Sequence, residues 1–166
     1  SGKSTVGESL AKRLDASYYD VDRSIEELSG WSASRWIEEK GLPAFRAAEA
    51  LFLARLEVES QVRIEQHSSV VIATAGGAVE TLSVRETLAV WECFWLDAPD
   101  ALLLDRCDSG SRPLLQGKEP QRDLQRLRYH RESYYRDLAG DSIDTSEISP
   151  SVVVDVILAR LEQKRK

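Results

Sequence analysis

Cysteine is scarce in this chain of 166 residues: only Cys93 and Cys107 occur, with no C-x-x-C spacing and no histidine cluster beside them. That pattern argues against a disulfide framework and against a structural zinc site, and it suits a reducing compartment. Long hydrophobic runs are missing too, since no eighteen consecutive residues are apolar, so no helical membrane span is predicted. There is no internal repeat, low-complexity tract or linker. Positive charge is in deficit, with 22 Lys and Arg against 28 Asp and Glu and a net charge of −6, which argues against nucleic acid as a partner. The deficit is uneven. From Arg106 to Arg136 the chain carries a local charge of +4, and such a basic segment on an acidic protein suits a small anion such as a nucleotide. A solvated helix face is the simpler account of Arg122, Arg126 and Arg128.

What is present is enough for one domain: 166 residues at 42 % hydrophobic bury about two thirds of their unfolded surface without a staple. The chain opens on Ser1-Gly2-Lys3-Ser4-Thr5, the second half of a phosphate-binding loop. In G-x-x-x-x-G-K-[ST], backbone N–H groups cradle phosphates, the lysine reaches the terminal phosphates and the hydroxyl residue holds Mg²⁺. Val6, Leu10 and Leu14 follow at helix spacing, as the motif requires. An ordinary helix start with Ser1 as its N-cap is the competing reading. A phosphate loop normally follows a buried strand, so a strand is expected ahead of Ser1, and without it the sheet should show a gap beside residues 70–74. Because the sequence opens inside a motif, organelle targeting stays open beside a cytoplasmic expectation.

Further along, Tyr18–Asp22 reads as a short strand, Ser24–Leu28 and Ser34–Glu39 as short helices, and Pro43 opens a long helix reaching about Gln66. The run Ser69–Thr74 is a continuous apolar strand of the kind buried on both faces of a parallel sheet, and it ends in Ala75-Gly76-Gly77. A helix at 83–89, a strand over Cys93–Leu96, a helix over Pro99–Cys107, a helix at 121–138, a strand near Ile143 and a last helix opened by Ser149-Pro150 complete the pattern. Residues 108–119 hold Gly110, Pro113 and Gly117 without periodicity and read as a mobile lid. Alternating strands and helices give an α/β fold, a parallel sheet with helices on both faces.

Four groups carry chemistry. Asp20 and Asp22, two apart at a strand end, put both carboxylates on one face at the ligand-binding edge of the sheet. One can support Mg²⁺ while the other accepts a proton from an attacking hydroxyl, although Asp22 as a simple helix cap is the alternative. Arg46 and Glu49 stand at i, i+3 and can pair to present an oriented guanidinium. Gly76-Gly77 after a buried strand allows close backbone approach to a ligand, or merely a tight turn. Arg112, in the lid, is placed to reach a transferring phosphate on closure, and Arg131 can supply a second carboxylate fork.

In chain order, GKST at 2–5, D-x-D at 20–22, F-R-x-x-E at 45–49, the glycine run at 75–77, R-P-L-L at 112–115 and R-x-x-x-Y at Arg131 and Tyr135 resemble the shikimate kinase family over essentially the whole chain. The closing DTSEISPSVVVDVI looks like the family's nucleotide-side loop and final helix. The resemblance implies a P-loop kinase architecture like that of nucleoside monophosphate kinases, with its first strand missing here. It implies ATP-dependent phosphorylation of the 3-hydroxyl of shikimate by a monomer that binds no nucleic acid or membrane. ATP would meet Ser1, Gly2, Lys3, Ser4, Thr5, Arg106 and Arg112, and Mg²⁺ would sit at Ser4 and Asp20. Shikimate would meet Asp22, Arg46, Gly76, Gly77 and Arg131, with Lys3, Asp22 and Arg112 catalytic. A gluconate kinase of the same loop class and a non-catalytic binding relative are the alternatives. The paired arginines favour shikimate over gluconate, and keeping Lys3, Asp22, Arg46, Arg112 and Arg131 together favours catalysis. One departure is Ala75, where the family usually has glycine; a positive φ there would cost about 1 kcal/mol. His67 and His130 match nothing and are expected to face solvent.

Overall fold

The computed structural model describes residues 1–65, 69–106 and 119–164. Helix α1 (Lys3–Leu14) is capped by Gly2, whose φ of 78° and ψ of 21° are left-handed, with no side-chain cap bond and no acidic residue in the first turn. The reading with Ser1 as an ordinary N-cap is therefore corrected: the cap is Gly2, which makes no side-chain cap bond. Val6, Leu10 and Ala11 are buried on one face of α1, and Leu14 packs against them.

Strand β1 (Ser17–Asp20) stops two residues short of the expected Asp22. Asp20 ends it by accepting a hydrogen bond from the Arg23 amide at 3.3 Å and so capping α2 (Val21–Ser29). A carboxylate at the cap satisfies an orphan N–H, and the chain turns helical at Val21 rather than at Ser24. Asp22 therefore belongs to the first turn of α2, and the expected shared strand face with Asp20 is not formed. Ser32 caps α3 (Ala33–Lys40) in the same way. The long α4 (Leu42–Glu65) opens with Pro43 in its first turn, as its fixed φ favours.

Strand β2 (Val70–Ala73) pairs in parallel with β1, Ser17 opposite Val70 and Asp20 opposite Ala73. Its apolar run serves two layers. Val71 joins α1 and α8 (Pro150–Lys164), whose Val153, Val154 and Ile157 are buried. Ile72, one residue on and facing the opposite way, packs with Val21, Phe45 and Leu53 of α2 and α4 and with Val84 and Leu88 of α5 (Leu82–Leu88). Each fully buried side chain of this size contributes about 1.5–3 kcal/mol. Between β2 and α5, a 3₁₀ turn at Ala78–Glu80 was not anticipated. No residue from 75 to 77 has a positive φ, so Ala75 carries no left-handed strain.

A second parallel pair joins β3 (Leu96–Asp97) to β4 (Ile143–Asp144). The strand expected over Cys93–Leu96 is found instead at Leu96–Asp97, where Ile143 donates to the Trp95 carbonyl at 2.7 Å and Thr145 to that of Asp97 at 2.8 Å. Among the described residues no ladder joins β2 to β3, so the sheet is split into two pairs. Helix α6 (Asp100–Asp105) follows β3, and α7 (Pro120–Ala139) precedes β4. Residues 107–118, including Arg112, Cys107 and almost all of the expected lid, lie outside the described residues, as does His67. His130 is exposed on α7.

Arg122 pairs with Glu119 in solvent, as a surface position should. Arg128 does not, and its reading as a solvated side chain is corrected. Its guanidinium bonds Asp97 at 2.7 Å, Asp100 at 2.6 Å and the Ala98 carbonyl at 2.8 Å, fastening α7 to the end of β3 and the start of α6. Arg128→Ala strands two half-buried carboxylates and should cost about 1.5–3 kcal/mol. Urea unfolding measures this, and a loss below about 0.5 kcal/mol would return Arg128 to the solvated face.

Burial, reinforced by the neighbouring Glu92 carboxylate, pushes the Cys93 thiol from its usual 9.0 to about 11. A native group with a raised pKa stabilises the fold below its unfolded value and loses that contribution as pH climbs through the native one. Stability should therefore decline between about pH 9 and 11, and less steeply in Cys93→Ala. Equal slopes for both proteins in pH-dependent urea melts would remove Cys93 as the cause.

Candidate active site

Two polar clusters flank β1 and β2. The first is built on β1 and α1. Ser4 donates to Asp20 Oδ2 at 2.6 Å, and Tyr18 braces both, its hydroxyl lying 3.2 Å from the Ser4 carbonyl and 3.4 Å from Asp20 Oδ2. Tyr18 and Asp20 are the i, i+2 pair that shares a strand face. Tyr18 fits because α1 presents Gly7 there: a Cβ on Gly7 would come within 2.7 Å of the ring. Burial, with the Asp20 carboxylate next, raises the Tyr18 phenol to about 12, which keeps it a neutral donor. Sequence reasoning missed Tyr18, although a glycine inside α1 and a tyrosine two before Asp20 were its available signals.

Ser4 Oγ and the Asp20 carboxylate form a pair of adjacent hard oxygens beside the start of α1, which fits Mg²⁺, an ion held by one or two protein oxygens while substrate phosphates and water complete its shell. Among the described residues no three His, Cys, Asp or Glu side chains gather into a fuller metal cage. Lys3 begins the same helix.

The second cluster brings together residues from α4, the Gly76-Gly77 turn, the 3₁₀ turn and α7. Arg46 and Glu49 form the expected i, i+3 ion pair at 2.6 Å, with Glu49 fully buried. Burial pushes the Glu49 carboxyl above its usual value; Arg46 opposes that, while Asp22 and Glu80 add to it. Asp22 is thus close enough to be felt here. Arg46 reaches on to Glu80 at 3.4 Å, and Arg131 Nε donates to the other oxygen of Glu80 at 2.8 Å. Both guanidinium side chains are nearly buried, 13 % and 12 % exposed. Arg46 Nε, Arg131 Nη2 and Glu49 Oε1 are buried without a hydrogen-bond partner, spare capacity that a ligand can take up.

Gly77 permits this arrangement. Its φ of −96° is available to any residue, but a Cβ there would lie 1.8 Å from Arg46 Nη2, so the guanidinium rests on bare backbone. Gly76 is less crowded, with Tyr135 and Arg131 at 3.5 and 3.8 Å from the position of a Cβ. Tyr135 donates to the Gly76 carbonyl, tying α7 to the turn. Arg46, Gly76, Gly77 and Arg131 therefore stand together in one cluster, and Glu80 is a member that sequence reasoning missed, since a lone glutamate after a turn has no motif. On the far side, Arg106 donates to Thr145 Oγ1 at 3.1 Å and to its carbonyl at 3.0 Å, holding the segment that follows β4.

A family profile described as shikimate kinase matches residues 1–162. The shikimate kinase of Synechococcus sp. (strain JA-3-3Ab) is 35 % identical over 159 residues, which are 95 % of this chain and 80 % of that protein. That of Corynebacterium glutamicum is 34 % identical over 162 residues, 97 % and 90 % of the two chains. Among solved structures, the shikimate kinase from Acinetobacter baumannii in complex with shikimate superposes with a TM-score of 0.88 at 30 % identity, covering 98 % of this chain and 88 % of that one.

Gly77→Ala should displace the Arg46 guanidinium and cost about 1–3 kcal/mol, the usual penalty of overpacking. Gly76→Ala, with ordinary contact distances, should stay within about 1 kcal/mol. Equal losses for the two variants in urea unfolding would contradict the packing of Arg46 on Gly77.

Proposed function

The chain belongs to the shikimate kinase family, and from that premise we propose that Arg46 and Arg131 receive the carboxylate of shikimate while α1 presents ATP to its 3-hydroxyl. The protein is a phosphotransferase that acts on shikimate. One observation carries the division of labour: two nearly buried guanidinium groups from different helices converge on a single carboxylate, that of Glu80. Two convergent forks are what a small carboxylic acid needs for tight, oriented binding.

At the other substrate, the bare N-terminus of α1 supplies N–H donors and a favourable dipole for phosphate, and Lys3 reaches the terminal phosphates. Ser4 and Asp20 would hold Mg²⁺, which, when bound, neutralises charge on the phosphates. Asp22, in the first turn of α2, takes the proton of the 3-hydroxyl as its oxygen bonds to the γ-phosphorus and the bond to the ADP oxygen breaks. Gly76 offers its N–H to a ring hydroxyl. Arg106 flanks the adenine beside Thr145. Arg112 is assigned to the phosphates by motif alone. Phosphoryl transfer asks little covalent chemistry of the protein, so positioning and charge carry the rate. A monomeric enzyme in the cytoplasm with ATP as co-substrate completes the reading.

A coupled ADP-release assay with shikimate, with gluconate and with neither tests it. ADP release should depend on shikimate. Arg131→Ala should weaken shikimate binding about ten- to a hundredfold, the worth of one charge-assisted fork, and alter ATP binding far less. Equal losses for both substrates by calorimetry would make Arg131 a structural residue.

A further inference from the structure

We propose that Glu80 is a specificity-determining residue of this site, a built-in carboxylate that competes with the carboxylate of the acid substrate for Arg46 and Arg131. This inference rests on the reading of those two arginines as the substrate's carboxylate grip.

Glu80 closes the 3₁₀ turn, its amide bonded to the Gly77 carbonyl at 3.1 Å. Its side chain bridges the two arginines, Oε2 toward Arg46 Nη2 at 3.4 Å and Oε1 on Arg131 Nε at 2.8 Å. At 33 % side-chain exposure it is far more open than either arginine or Glu49. The two glutamates therefore differ in kind. Glu49 is sealed in, with a short bond to Arg46 Nη1, and orients that guanidinium permanently. Glu80 lies on the solvent side, on a short turn, and can exchange its bonds for water.

The charges decide the consequence. Arg46 and Arg131 bring two positive charges, and Glu49 with Glu80 cancels both, before the Asp22 carboxylate is counted. An arriving carboxylate finds no net attraction and meets a like charge at the atoms it must contact. Three buried polar atoms of the cluster still lack partners, Arg46 Nε and Arg131 Nη2 among them, so Glu80 neutralises the guanidinium pair without saturating its donors. To reach Arg131 Nε and Arg46 Nη2, the carboxylate of the substrate must make Glu80 yield them and turn to solvent. Each binding event then replaces one carboxylate by another, and the net gain is smaller than two vacant forks would give. A neutral ester of the same ring suffers no such contest, so Glu80 narrows the preference of the site for the acid over an uncharged analogue.

Calorimetric titration of shikimate and of methyl shikimate into wild type, Glu80→Gln, Glu80→Thr and Arg131→Ala separates the outcomes. Removing the competing charge should tighten shikimate binding about tenfold, the scale of one charge-assisted bond, in both Glu80 variants. Methyl shikimate should move less than about threefold, so the acid-to-ester ratio rises. That ratio does not respond to a loss confined to folding. The threonine variant, shorter and compatible with a turn, serves if the glutamine protein fails to fold. Unchanged or weaker shikimate binding in the folded variants, or an equal gain for acid and ester, overturns the proposal. If Arg131→Ala weakens shikimate and the Glu80 variants leave it unchanged, only the role of Glu80 falls. If Arg131→Ala leaves shikimate binding untouched, the carboxylate grip itself falls and the proposal with it.

Discussion

The guanidinium of Arg46, lying on the bare backbone of Gly77, is the contact on which the cluster of Arg46, Glu49, Glu80 and Arg131 depends. A Cβ at Gly77 would lie 1.8 Å from Arg46 Nη2, so any side chain there would have to push the guanidinium from its seat. From that seat Arg46 holds the buried Glu49 on one side and Glu80 on the other. Glu80 in turn reaches Arg131 on α7, and Tyr135, one helical turn further, bonds the Gly76 carbonyl. The Gly76-Gly77 turn, the 3₁₀ turn and two helices are thus fastened through one planar cation. Burying such a charge is tolerable only with partners, since an unpaired guanidinium at this depth would cost several kcal/mol.

Around that contact the protein assigns polar work to places that composition marks as ordinary surface. Helix α7 has no buried residue, yet Arg128, Arg131 and Tyr135, at i, i+3 and i+7, each tie it to a different part of the molecule. Arg128 grips the end of β3 and the start of α6, while Arg131 and Tyr135 hold the two turns that follow β2. The apolar cores do the complementary job. Val71 and Ile72, adjacent on β2, enter opposite layers, so the strand that leads into the glycine turn is clamped from both faces. Its carboxyl end, where open α/β sheets bind ligands, is correspondingly well placed to present Gly76 and Gly77.

The start of α1 follows a different logic. Gly2 caps α1 in a left-handed conformation without a side-chain cap bond, while the Ser4 hydroxyl donates to Asp20 and the Tyr18 hydroxyl bonds the Ser4 carbonyl and Asp20. Glycine at that cap and glycine at 77 serve opposite purposes. Gly2 supplies a backbone conformation that side chains resist, whereas Gly77 has an ordinary conformation and supplies space.

Several of these features were legible in the order of residues alone. Helix α1, the parallel character of β1 and β2, the ion pair of Arg46 with Glu49 and the convergence on Gly76, Gly77 and Arg131 depend on local spacing or on motifs read in chain order. Local hydrogen bonding and side-chain period act within a few residues, and the sequence states them directly. Tertiary structure alone decided that Arg128 would turn inward to Asp97 and Asp100. It alone placed Glu80 between two arginines that lie 34 residues before it and 51 after it. Such contacts are set by how helices and turns pack, and a single charged side chain has no periodicity to announce which distant partner that packing will bring to it.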